Sequence, residues 1–179
     1  MSNFRIASRY AHALYLIAVE SAQDEAVAAD MKALVSLSHD NREFRAFLNS
    51  PVISKEVKSN ALNAICKDFH TNSKEIFRLA LNKNREMMLP DIAAAYLSEY
   101  NQQKGIVEAT VTAATELDAK ELDTIQAFVK KQTGARNVEL SVKKDASIIG
   151  GVVIRFKDRI YDTSIHNQIN KLKKELNIA

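Results

Sequence analysis

The spacing of hydrophobic positions along the chain changes near Gly105. Before this residue, apolar side chains recur every three or four positions in segments separated by short polar stretches, which is the period of amphipathic helices. Residues 1–104 contain no glycine, as expected of helices joined by short polar turns. After Gly105 the segments IVEATVTA and NVELSV alternate between apolar and polar residues, which predicts strands.

These patterns predict a protein of the α+β class that is mainly α, with two domains. Residues 1–105 divide into about six helices, and a six-helix bundle is the simplest way to bury their apolar faces. Residues 106–179 give the order β-α-β-β-β-α, a small α+β domain whose last helix includes Leu176.

Short polar residues mark where four of the helices begin. Ser21, Ser54, Asn72 and Asp118 are the candidate N-caps, because their side chains can accept hydrogen bonds from free amides of the first turn. Pro90 is expected in the first turn of the last helix of the bundle, where its missing amide proton costs nothing.

The first predicted helix is unusually apolar. Its apolar side chains cover an arc of roughly 240°, against the roughly 100° that suffices for a surface helix. One face contains Phe4, Ala7, Ala11, Leu14, Tyr15 and Ala18, and a second, displaced face contains Ile6, Tyr10, Ala13 and Ile17. The helix over SKEIFRLALNKNR is broad as well, since Leu79 lies off the face formed by Ile76, Phe77, Ala80 and Leu81.

Two interpretations of these broad helices remain open. Both helices lie deep in the bundle, or they flank a groove that accepts an apolar partner helix. A bundle of about one hundred residues cannot easily surround two of its own helices, which favours the groove.

Charge adds little to this picture. The formal net charge is +3, and basic residues are spread over both halves of the chain. The densest cluster is Lys171, Lys173 and Lys174, which suits the last turns of a helix because it opposes the helix dipole. A phosphate-binding patch on these lysines, and hence a nucleic-acid-binding protein, is the alternative.

Candidate catalytic chemistry is missing from the sequence. The single cysteine, Cys66, excludes an internal disulfide and lies in an apolar helical stretch, so it is predicted to be a small core residue. Four histidines show no metal-ligand spacing.

Gly150 and Gly151 precede the strand-like VVIRF rather than a lysine and a helix start, so a backbone bend is favoured over a phosphate loop. The sequence predicts a protein that is not an enzyme, has no cofactor and has neither a signal peptide nor a membrane span.

Four segments occur in a familiar order: ASRYAHAL, NSPVISKEVKSNAL, FRLALNKNREMMLPDIAAAY and DASIIGGVVIRFKDRIYDTSIHNQINKL. They resemble the delta subunit of F-type ATP synthases, the family of the mitochondrial oligomycin-sensitivity-conferring protein. The most specific part is a structural motif containing Gly150, Gly151, Asp162 and Ser164. Thr163 and Lys157 stand where the family usually has glycine, and both departures concern turns.

The resemblance implies a stator subunit, present once per complex, that keeps the catalytic head from turning with the rotor. The bundle is then expected to bind N-terminal segments of the alpha subunits, and residues 106–179 to contact the C-terminal ends of the b subunits. No nucleic acid is implied, and membrane association arises only through the complex. The implied location is the cytoplasmic face of the bacterial inner membrane.

In this family the groove for the alpha subunit lies between the first and fifth helices, the two helices whose apolar arcs are broad here. The groove residues implied by the resemblance are Ile6, Tyr10, Ala13, Leu14, Ile17, Phe77, Ala80 and Leu81. The angle of Leu14 also suits the core face. A generic helical adaptor that uses the same groove is the alternative function.

Overall fold

The computed structural model describes residues 3–175, and the side chains of residues 4–173. Leu176, predicted to belong to the last helix, and the side chain of Lys174 lie outside these ranges. The chain divides into two compact units, one up to Tyr100 and the other from Asn101 onward. The division falls in the last turn of a helix, slightly before the predicted boundary at Gly105.

Six α-helices make up the first unit. They are α1 (Asn3–Glu20), α2 (Asp24–Asp40), α3 (Arg42–Asn49), α4 (Lys55–Ile65), α5 (Thr71–Asn82) and α6 (Leu89–Lys104), with a short 3₁₀ turn at Glu86–Met88 before α6. Their apolar faces meet in one core, whose largest fully buried side chains are Leu14, Met31, Leu34, Leu48, Leu62, Leu89, Ile92 and Tyr96. Cys66 belongs to this core, as predicted, and burial raises the pKa of its thiol to about 11.

The predicted N-caps have mixed outcomes. Ser54 accepts a hydrogen bond from the amide of Val57, and Asp118 forms a reciprocal capping box with Glu121, so these two predictions are confirmed. The other two are wrong. The side chain of Ser21 bonds back to carbonyls at the end of α1, and α2 begins without a side-chain cap. Helix α5 begins earlier than expected, with His70 rather than Asn72 as its cap.

The second unit contains a mixed four-stranded sheet. Its elements are β1 (Ile106–Ala113), α7 (Ala119–Thr133), β2 (Asn137–Lys144), a 3₁₀ turn (Ala146–Ile148), β3 (Val152–Phe156), β4 (Arg159–Asp162) and α8 (Ile165–Glu175). The strand order is β2-β1-β3-β4, with β1 and β2 parallel and the other pairs antiparallel. The prediction of a mainly helical chain with a small sheet is confirmed.

One face of the sheet packs against α7. The predicted alternation in β1 is confirmed, because Val107, Ala109, Val111 and Ala113 are all buried. Helix α7 contributes Ile125 and Val129 to the same core. Tyr161 on β4 meets the ring of Phe128 edge-on at 5.1 Å and stacks on Phe156 at 5.3 Å, which closes the far side of this core.

The glycine pair forms a close backbone contact, as the preference for a bend predicted. Gly151 has a φ of +74°, and a Cβ at this position would collide with the carbonyl oxygen of Thr163. The carbonyl of Gly150 accepts a hydrogen bond of 3.0 Å from the amide of Ile165, the first residue of α8. The pair therefore joins the start of β3 to the start of α8.

Asp162 and Ser164 begin the last helix. The Ser164 hydroxyl accepts from the amide of Asn167 at 3.2 Å and donates to Asp162 Oδ1 at 2.6 Å, so Ser164 caps α8. Asp162 Oδ1 also accepts from the Ser164 amide at 2.9 Å. These hydrogen bonds to Ser164 hold the pKa of the Asp162 carboxyl below its ordinary value.

The two departures from the family pattern differ in kind. Thr163 is outside the left-handed region, and its hydroxyl donates to the carbonyl of Val152 at 2.8 Å, so threonine is well accommodated. Lys157, in the tight turn between β3 and β4, has a φ of 48°, which glycine adopts at much lower cost.

Replacing Gly151 with alanine is expected to unfold or strongly destabilise the second unit, because a Cβ meets backbone that cannot rotate away. Gly134 is the matched control, since its φ is +68° but no atom lies within 4 Å of its Cβ position. Gly134→Ala is expected to cost about 1 to 2 kcal/mol, the cost of the left-handed backbone alone. Urea unfolding followed by amide NMR signals of each unit measures both, and equal costs would contradict the backbone collision.

Substitution of Lys157 with glycine is expected to stabilise the second unit slightly. Relief of the left-handed strain, about 1 to 2 kcal/mol, exceeds the entropy that glycine adds to the unfolded chain, about 0.5 to 1 kcal/mol. The same urea experiment measures the gain. A loss of stability would show that the Lys157 side chain makes a contact that outweighs the strain.

Candidate helix-binding groove

Helices α1 and α5 lie side by side and run in opposite directions. At one end, Asn72 Nδ2 donates to the hydroxyl of Ser21 at 3.0 Å. At the other end, a guanidinium nitrogen of Arg85 donates to the Tyr10 hydroxyl at 3.0 Å. Between these two links the facing edges of the helices carry exposed apolar side chains, Ile17 on α1 and Leu79 on α5.

The structure separates the predicted groove residues into two sets. Four of them are buried in the bundle core and offer no surface to a partner: Leu14, Phe77, Ala80 and Leu81. The other four lie on the second face of α1. Ile6 and Tyr10 are half-buried, whereas Ala13 and Ile17 are exposed. The buried set supports the helices from beneath, and the α1 set forms the accessible wall.

Leu79 provides the opposite wall. It is 43% exposed and lies seven residues after Asn72, almost two full helical turns, so both project from α5 toward the α1 side. The α1/α5 groove is therefore defined by Ile6, Tyr10, Ala13, Ile17 and Leu79. The resemblance did not include Leu79 among the groove residues, although its position off the core face was visible in the sequence.

Not all exposed apolar residues of α1 belong to this groove. Leu16 and Val19 are exposed on other sides of the helix, and Phe4, expected on the core face, is 73% exposed because it lies in the first turn, beyond the packed part of the bundle. On the flank opposite the groove, His12 Nδ1 lies 2.6 Å from Glu99 Oε1 of α6.

A buried ion pair supports the turn that follows α5. Lys58 Nζ donates to the carbonyl of Leu48 at 2.9 Å and to Glu86 Oε1 at 2.7 Å, and the Lys58 side chain is only 3% exposed. Burial alone would raise the pKa of the Glu86 carboxyl, but the hydrogen bond and positive charge of Lys58 outweigh it and lower the pKa. Sequence patterns gave no sign of this pair, because its partners are 28 residues apart.

Arg85 lies beside the groove, just past the C-terminal end of α5. Asn84 before it has a φ of 54°, and the Arg85 amide donates to the carbonyl of Ala80 at 2.8 Å, so the chain turns sharply out of α5. The Arg85 guanidinium carbon lies 5.7 Å from the centre of the Tyr10 ring. A cation is thereby held beside the groove residue Tyr10.

The described residues contain no group of three or more histidine, cysteine or acidic side chains that could hold a metal ion. Within the same residues, no helix is both long enough and apolar enough to cross a membrane. The geometry of the groove is suited to binding an apolar helix and offers no arrangement for bond chemistry.

Comparison with known proteins identifies the family. Residues 6–176 match the model of the ATP synthase delta (OSCP) subunit family. Proteins described as ATP synthase subunit delta include one from Microcystis aeruginosa, 35% identical over 96% of this chain and 94% of the relative. Another, from Carboxydothermus hydrogenoformans, is 29% identical over 98% of this chain and 99% of the relative. The chain therefore belongs to the ATP synthase delta (OSCP) subunit family, as the resemblance predicted.

A solved structure agrees in fold. A chain of the mitochondrial ATP synthase hexamer of Toxoplasma gondii superposes with a TM-score of 0.72, covering 97% of this chain and 98% of that chain, at 20% identity. The family is a non-catalytic, structural subunit of ATP synthase, so the prediction that this protein is not an enzyme is confirmed.

Removing the Lys58 side-chain charge is expected to destabilise the bundle. In Lys58→Met, the Leu48 carbonyl and the Glu86 carboxylate lose their shared donor, which costs about 3 kcal/mol. The double variant Lys58→Met, Glu86→Leu is expected to recover most of this loss, because no buried charge remains. Urea unfolding of the wild type and of the two variants measures both effects, and a double variant no more stable than Lys58→Met would contradict them.

The pair also has a defined pH dependence. Since the pKa of Glu86 is lowered in the folded protein, its stabilisation is present above the ordinary glutamate pKa and is lost as the pH falls through the lowered value.

Proposed function

We propose that this chain is the stator subunit that joins the alpha and beta subunits of the catalytic head to the b subunits of the peripheral stalk. The head then resists rotation during proton-driven ATP synthesis. The family match over nearly the whole chain supports a place in ATP synthase. The α1/α5 groove is the observation that supports the role of a linker, because it is an apolar surface suited to a helix.

The proposed occupant of the groove is the N-terminal segment of an alpha subunit, folded as an amphipathic helix. Ile17 and Leu79 are half-exposed in the free protein, and Ala13, one turn before Ile17 on the same helix, is exposed and small. Burying each large side chain contributes about 1.5 to 3 kcal/mol before the costs of association. Such binding needs no proton or nucleotide chemistry, only affinity that withstands elastic load.

The two units are proposed to divide this work. Residues 1–105, as a six-helix bundle, bind the head, and residues 106–179, as a β-α-β-β-β-α domain, contact the C-terminal ends of the b subunits. The protein is proposed to be present once per complex, at the cytoplasmic face of a bacterial inner membrane, and to associate with the membrane only through its partners.

A generic helical adaptor with the same groove is the second candidate. It predicts binding to many amphipathic helices, whereas the stator predicts preference for the alpha-subunit segment. Nucleic-acid binding through Lys171, Lys173 and Lys174 has no support in the family match.

Ile17→Asp is expected to weaken binding of a synthetic alpha-subunit N-terminal peptide at least tenfold, because it places a charge in the apolar groove surface. Val19→Asp is the matched control. Val19 is 47% exposed on the same helix, against 49% for Ile17, but points about 160° away from it around the helix axis. Isothermal titration calorimetry with the full-length protein measures both affinities.

Ala13→Trp tests the same surface by filling it, and a similar loss of affinity is expected. The stator proposal fails if the wild-type protein shows no saturable binding of the peptide. It also fails if Ile17→Asp and Val19→Asp bind the peptide equally well.

A further inference from the structure

We propose that Arg85 selects the partner of the α1/α5 groove by pairing with a carboxylate on the docked helix. This inference rests on the proposed function, which supplies the occupant, the N-terminal segment of an alpha subunit. The apolar wall alone accepts any helix with an apolar stripe, whereas a fixed charge at one end favours a helix that carries the opposite charge at the matching position.

Contacts inside the bundle hold Arg85 in place. Its guanidinium donates to the Tyr10 hydroxyl and lies against the Tyr10 ring, while its amide bonds to the carbonyl of Ala80. The left-handed Asn84 directs the chain across the end of α5. The cation is therefore positioned before any partner arrives, which reduces the entropy lost on binding.

Arg85 has no acidic partner among the residues that the structure describes. The carboxylate next to it in sequence, Glu86, turns into the bundle and pairs with Lys58. Successive side chains of this turn thus point in opposite directions, one into the core and one into the groove. A half-buried cation beside the groove thus has no counter-charge among the described residues.

The guanidinium group has free donors for such a counter-charge. It carries about five N–H donors in a planar fork, and one nitrogen bonds to Tyr10. Arg85 is only partly buried, and no other described residue accepts a hydrogen bond from its remaining side-chain nitrogens. A carboxylate can accept two of these donors side by side, which is the geometry that arginine prefers.

The test compares two synthetic alpha-subunit N-terminal peptides, the native sequence and a version in which every Asp and Glu is replaced by its amide. Each is titrated into wild-type protein, Arg85→Met and Arg78→Met at low and high salt. Arg78 is the matched control, because it is an exposed arginine of α5 that lies about 100° around the helix from Leu79. Thermal unfolding verifies that each variant is folded. The comparison of the two peptides on the wild type needs no change to the protein.

For the wild type, we expect the amide peptide to bind about tenfold more weakly than the native peptide, an effect that fades at high salt. In Arg85→Met, the native peptide is expected to lose about the same factor and the amide peptide little, whereas Arg78→Met leaves both affinities unchanged within about twofold.

Three results would overturn the inference. The wild type binds both peptides equally, or Arg85→Met weakens both peptides equally, or Arg78→Met has the same effect as Arg85→Met. In each case a wild-type protein that still binds the native peptide leaves the proposed function intact. A wild-type protein that binds neither peptide overturns the proposed function together with this inference.

Discussion

The limited size of the helical unit is the constraint on which its surface chemistry depends. About one hundred residues cannot enclose six helices, so some apolar surface must stay at the boundary with solvent. Helix α1 carries more apolar surface than its neighbours cover. Its small residues Ala7, Ala11 and Ala18 are fully buried, and the excess appears on the adjoining face at Ala13 and Ile17. Because the neighbouring helices do not cover this face, it is available to a partner helix.

Polar interactions then fix the positions of the two helices that border this open surface. Links between Ser21 and Asn72, and between Tyr10 and Arg85, hold the two edges of the groove in register. The buried pair of Lys58 and Glu86 supports the turn from which Arg85 projects. Because desolvating both charges is costly, this pair contributes less to net stability than its short distance suggests. Its clearer consequence is that the Glu86 carboxylate pairs with Lys58 and not with Arg85.

In the second unit, a close approach of backbone joins the start of β3 to the start of α8. Gly151 has a left-handed backbone and meets the carbonyl of Thr163, while the carbonyl of Gly150 bonds to the amide of Ile165. The motif that first suggested a phosphate loop is thus a junction between a strand and the last helix. Position 151 requires glycine for a steric reason, because a Cβ there would collide with the carbonyl oxygen of Thr163.

Local patterns in the sequence determined the helices, the strands and the faces they bury, because side-chain periodicity depends only on neighbours along the chain. They determined the N-cap at Asp118 for the same reason, and the family motif identified the class of protein. The caps at Ser21 and Asn72 were predicted wrongly because other nearby groups took their places. The Ser21 hydroxyl bonds to carbonyls at the end of α1, and His70 caps α5. The contacts of Lys58 with Glu86 and of Tyr10 with Arg85 join residues far apart in sequence, so only the tertiary structure decided them. It also decided which groove candidates are accessible, since Leu14 and Ile17 are equally apolar and differ only in what packs over them.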